Sequence, residues 1–156
     1  MAAEKIVAEF SDSDLTMYNI KDTDLKKMEN FDVLLLGIST WDFGEIQEDW
    51  ESQWQDIANV NLTGKIIALF GLGDQIGYAD WFQDALGMLH DEVIAQDCQV
   101  IGYWPNEGYE FSASKAVTED EEFFVGLSLD DENQYDLTDV RIQEWVSQVK
   151  EELSDI

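Results

Sequence analysis

The sequence predicts an α/β fold in which a parallel sheet is covered by helices on both faces. Three observations lead there. The continuous apolar runs DVLLLG (32–37) and KIIALF (65–70), the second followed by Gly71, read as strands buried on both faces. Segments of helical periodicity lie between and after them. Strands that alternate with helices of about 10–17 residues form βαβ units, which set the strands parallel.

In chain order, Ala3, Ile6, Val7 and Phe10 recur at three- to four-residue spacing, so residues 2–10 read as the end of an amphipathic helix. Leu15 to Ile20 alternates and reads as a short strand. After the first buried strand, residues 47–59 are helical, with Trp50, Trp54 and Ile57 on one stripe. The second buried strand leads into a helix over about 79–95, with Phe82, Ala85, Leu86, Leu89 and Val93 inward. Gln99 to Tyr103 is a strand, and FFVGLSL (123–129) is either another strand or its continuation. A last helix, about 138–153, buries Val140, Trp145, Val146, Val149 and Leu153.

Composition bounds the function. The 156 residues carry 35 acidic and 8 basic side chains, a net charge of −27, with 45% hydrophobic residues. That apolar content places the charge on a folded body, in one domain spanning 1–156, rather than on a disordered tail. Strong negative charge argues against nucleic acid and anionic membranes, whose phosphates it would repel. A single cysteine, Cys98, excludes an internal disulfide and a cysteine-cage metal site. No apolar run approaches the ~20 residues of a bilayer span, and MAAEKIVAEF has no signal-peptide core. The expectation is a cytoplasmic monomer. The lone His90 reads as solvated or capping on a surface helix, and Cys98 as inert. The acidic runs 119–122 and 130–132 read as solvated surface without calcium-loop spacing. One histidine offers no catalytic triad or dyad.

In parallel sheets, ligands bind beyond the carboxyl ends of the strands. Two segments lie there: Ile38-Ser39-Thr40-Trp41-Asp42-Phe43-Gly44-Glu45 and Gly71-Leu72-Gly73-Asp74-Gln75-Ile76-Gly77-Tyr78. Each sets an aromatic among glycines and hydrogen-bonding residues, with acids nearby and no base. Glycines admit close backbone approach, and an aromatic on each segment can sandwich a flat ring. The plain alternative is that Trp41 and Tyr78 are ordinary loop aromatics.

Several stretches resemble the long-chain flavodoxins: DVLLLGISTWDFGE (32–45) with Asp49-Trp50, and GKIIALFGLGDQIGYADWFQDALG (64–87). VIGYWPNEGYEFSASKAV (100–117) resembles the insertion that splits their last strand, and FVGLSLDDENQYDLTDVRIQEWVSQVKEEL (124–153) their closing strand and helix. GYWP and WVSQ point to the cyanobacterial and algal branch. The resemblance implies a flavodoxin-like three-layer sandwich with strand order 2-1-3-4-5 and non-covalent FMN. It implies that Trp41 and Tyr78 stack on opposite ring faces and that Thr40, Asp42, Phe43 and Gly44 meet the ring near N5, with Ser39 leading into that loop. It also implies that Gly71, Gly73, Asp74 and Gln75, with Leu72 between them, supply backbone and carboxylate contacts to the pyrimidine edge. Ser39 stands where the family usually has proline, and Asp42 adds a carboxylate where a neutral side chain is common.

The family's first strand and its T/S-x-T-G-x-T phosphate loop find no match. In the better register, residues 2–10 match the end of the family's first helix and Leu15–Ile20 its second strand. A rival register lays Lys5–Phe10 on the first strand, but leaves about 16 residues before Val33 for a helix and a strand. The expectation is a chain truncated relative to the family.

The function implied is a low-potential one-electron carrier, not an enzyme. Its partners would be ferredoxin–NADP reductase, photosystem I or similar basic-faced proteins. Two alternatives differ in class: an FMN-free remnant or interaction protein, and a flavin-dependent quinone reductase, for which no segment suggests a second substrate pocket.

Overall fold

The computed structural model describes all 156 residues. Its sheet is built on β1 (Val33–Trp41) and β3 (Ile66–Leu72), paired in parallel from Val33 opposite Ile66 to Ser39 opposite Leu72. On the far side of β3, β4 (Gln99–Ile101) pairs with Ile66–Ala68 and β7 (Leu127–Leu129) pairs with Phe70–Leu72, both in parallel. One strand position is thus shared by two short strands. The residues between them carry the antiparallel pair β5 (Trp104–Pro105) and β6 (Phe123–Phe124). FFVGLSL is therefore two strands, broken at Val125-Gly126. A Cβ on Gly126 would collide with the Leu69 carbonyl, so the break needs glycine. A two-residue strand, β2 (Glu45–Ile46), folds back antiparallel on Thr40–Trp41.

Helix α3 (Asp84–Ile94) begins five residues later than expected, behind a separate 3₁₀ turn at Ala79–Trp81, and packs on one face of β1 and β3. Helix α1 (Ala2–Glu9) packs against α4 (Tyr135–Ser154), and Trp145 of α4 meets Phe70 on the opposite face. Glycine at 37 makes room for that ring: a Cβ there would collide with Phe70. Ile67, Ala68, Leu69, Leu86, Leu89, Val93, Leu127 and Trp145 have no measurable exposure and form the centre of the core.

Three further expectations are corrected. Leu15–Ile20 is not a strand; the chain there is irregular and tightens only at a 3₁₀ turn, Ile20–Asp22. Alternation supplies side chains for a sheet but no ladder, and no strand lies beside this segment. Residues 47–59 are not one helix but the single turn α2 (Glu48–Glu51) and a 3₁₀ turn, Trp54–Asn59. There Trp50 is buried and its indole N–H donates to the Gly37 carbonyl at 2.8 Å. The last helix begins three residues earlier than expected, and Val140 lies on its exposed side.

In terms of the family order, β1, β3 and the shared β4/β7 position fill the last three places. No strand precedes Val33. Before the short β2 ladder, the outer edge of β1 therefore meets side chains: Trp50 takes the Gly37 carbonyl, and Gln47 Oε1 accepts from the Ser39 N–H at 3.1 Å. Val33 and Leu35 on that strand are exposed and half-buried, rather than sealed on both faces.

Candidate functional site

The carboxyl ends of β1 and β3 lie side by side, so the segments that follow them meet. Ser39 and Thr40 are still strand residues, and Thr40 Oγ1 accepts from the Ala85 N–H at the start of α3, 3.0 Å away. The chain then turns through Asp42 (φ 46°) and Gly44 (φ 85°), both left-handed. Glycine is required at 44 for a second reason: a Cβ would come 2.9 Å from Asp84 Oδ2. The turn lifts Trp41 (45% exposed) and Phe43 (64% exposed) clear of the sheet.

Phe43 joins the two segments. Its ring packs edge-on to Tyr78 at 5.8 Å and to Trp81 at 5.1 Å. Asp42 lies on the same side: its charge holds the Tyr78 phenol above its ordinary pKa. Trp41 and Tyr78, read as partners across a ring, thus sit on neighbouring loops, with Phe43 touching Tyr78.

The second loop is held from beneath. Gly71 and Leu72 are strand residues of β3, and the Gly71 carbonyl accepts from Gln83 Nε2 at 3.2 Å. Gly73 N–H donates to the Leu129 carbonyl at 3.0 Å. Asp74 Oδ1 accepts from the Ile76 and Gly77 N–H groups at 3.1 and 2.7 Å, and from Asn133 Nδ2 at 2.8 Å. Partial burial opposes ionisation of Asp74, yet these donors outweigh it and hold the carboxyl below its usual range.

Two residues of this segment turn their substance inward. Gln75 is 1% exposed. Its N–H and Nε2 donate to Asp130 Oδ2 at 3.0 and 2.8 Å, Nε2 also reaches Gln134 Oε1 at 2.9 Å, and Oε1 accepts from Glu110 N–H at 2.5 Å. A side chain so committed is not free to meet a ligand. Gly71 likewise lies inside the sheet, with Gln83 Oε1 where its Cβ would be. That oxygen is buried without a hydrogen-bond partner.

The acidic run 130–132 was read as solvated, but Asp130 has no measurable exposure and anchors the loop. His90 is also buried, with Nε2 2.7 Å from the Tyr103 hydroxyl, and burial lowers its pKa. Asp84, under the first loop, is raised by burial against an opposing hydrogen bond from Lys115 N–H. Sequence reasoning missed Gln83, Asp84, Trp81, Asp130 and Asn133. Only Trp81 carried a signal, as an aromatic three residues beyond Tyr78.

The residues fit a flat, uncharged ring: exposed Trp41 and Phe43 and partly exposed Tyr78, beside Asp42 and Asp74. Residues 38–45 and 71–78 contain no lysine or arginine, so no basic side chain of these segments attracts an anion here.

A parallel α/β sheet with an aromatic, acidic ring site at its carboxyl edge defines a protein of the flavodoxin type. The flavodoxin family profile matches residues 1–145, and the chain belongs to that family. Flavodoxin 2 of Escherichia coli K12 is 56% identical over 155 residues, covering 99% of this chain and 90% of the relative. The flavodoxin of Synechococcus elongatus is 46% identical over 151 residues, covering 96% and 88%. The expected cyanobacterial affinity is therefore corrected: identity to the enterobacterial protein is higher, so GYWP and WVSQ do not mark a branch. Among solved structures, the Fusobacterium nucleatum flavodoxin bound to flavin mononucleotide superposes with a TM-score of 0.91 at 30% identity, covering 97% of this chain and 89% of that one. No helix here is long and apolar enough to cross a membrane.

Proposed function

We propose that this chain is a low-potential one-electron carrier that holds FMN non-covalently at the carboxyl edge of its sheet. The observation that carries the reading is the joining of the two loops through Phe43, packed on Tyr78 and Trp81. When bound, FMN supplies the reversible electron transfer, and the protein supplies orientation and electrostatics. Trp41 and Tyr78 flank the ring, and Ser39, Thr40, Asp42, Phe43 and Gly44 line one edge. Leu72, Gly73 and Asp74 line the other, through backbone rather than through Gln75. Phe43, Trp41 and Ile76 keep the site's rim apolar and open for transfer. Asp42 and Asp74 surround the ring with negative charge, which opposes the gain of more on reduction and so favours giving an electron away.

No T/S-x-T-G-x-T motif is read in residues 1–156, which supports a site that binds mostly through the ring. Riboflavin should therefore bind nearly as well as FMN. Fluorescence-quenching titrations test this: FMN binding about 100-fold tighter, a gap of about 2.7 kcal/mol, would overturn it. The charge of −27 supports basic-faced partners such as ferredoxin–NADP reductase or photosystem I. A purified protein without flavin absorption would favour the alternative of an interaction protein on the same body.

A further inference from the structure

We propose that Asn133, in the connection between β7 and α4, is a positioning residue that sets both the geometry and the charge of the 73–78 loop. The proposal rests on the flavin-carrier reading of that loop. Asn133 lies 59 residues from Asp74 in sequence, yet its Nδ2 donates to Asp74 Oδ1 at 2.8 Å. The same Nδ2 donates to Asp130 Oδ2 at 2.9 Å, and the Asn133 N–H donates to Asp130 Oδ1 at 3.0 Å. One neutral amide therefore stands between two carboxylates and donates to both. Without it, each carboxylate loses the donor that the two share.

The loop hangs from this pair at successive residues. Asp130 holds Gln75 by its N–H and its side chain. Asn133 holds Asp74, and Asp74 in turn fixes the Ile76 and Gly77 N–H groups through its side chain and Tyr78 through its carbonyl, at 3.2 Å. Asp130 is buried inside the protein, so the anchor does not move with the loop. Asp74 is the member that reaches the ring site, and all three of its donors fall on the same oxygen.

Losing the Asn133 donor has two consequences. The turn that presents Tyr78 loosens, which weakens every redox form of the flavin. The Asp74 carboxylate also loses one of the three groups that disperse its charge, which weakens the reduced, more negative flavin further. A side chain that only stabilised the fold would produce the first effect without the second.

Asn133→Ala, Asn133→Ser and Asn133→Asp separate these. The readouts are FMN affinity by fluorescence quenching, midpoint potentials by spectroelectrochemistry, and melting of the flavin-free protein. Asn133→Ala should weaken oxidised FMN about tenfold and reduced FMN about tenfold more, the latter being a fall of about 59 mV in a one-electron step. Asn133→Asp, which adds a third carboxylate, should lower the potential further. Asn133→Ser, keeping one donor, should lie between wild type and Asn133→Ala, and it carries the test if the alanine variant does not fold. Unchanged potentials in variants that bind flavin would overturn the proposal alone. A wild-type chain that binds no flavin would overturn the carrier reading with it.

Discussion

Replacing Gln75 with alanine asks whether that side chain belongs to the ligand or to the protein. The buried amide donates to the Asp130 carboxylate and to Gln134 Oε1, and its oxygen accepts from Glu110 N–H. Alanine deletes one hydrogen bond to a charged acceptor, worth about 1.5–3 kcal/mol, and takes the acceptor from the N–H of exposed Glu110. Gln134 is less affected, because Arg141 Nη1 still reaches its oxygen at 2.7 Å. Together these losses come to about 3 kcal/mol, which for a chain of this size lowers the melting temperature by about 6–12 °C. The assay is urea and thermal unfolding of the flavin-free protein, where no ligand contact can contribute. A loss under about 0.5 kcal/mol in that state, beside a collapse of FMN affinity, would refute the inward assignment and return Gln75 to the flavin edge.

Other substitutions test neighbouring parts. Trp41→Ala and Tyr78→Ala should each weaken flavin binding by about 0.5–1.5 kcal/mol beyond lost burial and shift the potentials; titration and potentiometry showing neither change would remove the ring sandwich. Asp84→Asn should stabilise the protein at pH 7, because burial raises the Asp84 pKa and so penalises its charged form. The wild type should regain that stability as pH falls through the raised folded pKa towards the unfolded value, a gain the variant should lack in urea melts at successive pH values. With a charge of −27, self-repulsion should be relieved by salt. The melting temperature should therefore rise between about 0.05 and 1 M KCl, and a flat or falling curve would refute that account.

The flavodoxin-type α/β body, β1, β3, α3 and α4 were legible because their signals are local. A continuous apolar run or a 3.6-residue period reports burial without reference to distant residues, and Val33–Trp41, Ile66–Leu72 and Asp84–Ile94 carry it. The two segments at the carboxyl edge were legible for a related reason: a parallel sheet presents that edge, where Trp41 ends β1 and Tyr78 lies six residues beyond β3. Only the tertiary structure decided what those loops rest on. Asp130 looks like surface acid in a run of acids, and it becomes a buried anchor because Gln75, 55 residues away, brings it donors. Gln75 turns inward for the same reason. Leu15–Ile20 shows the converse, since its alternation predicts a strand that no neighbouring ladder accepts. A residue's own chemistry fixes which partners it can accept, but the fold alone determines which partners are within reach.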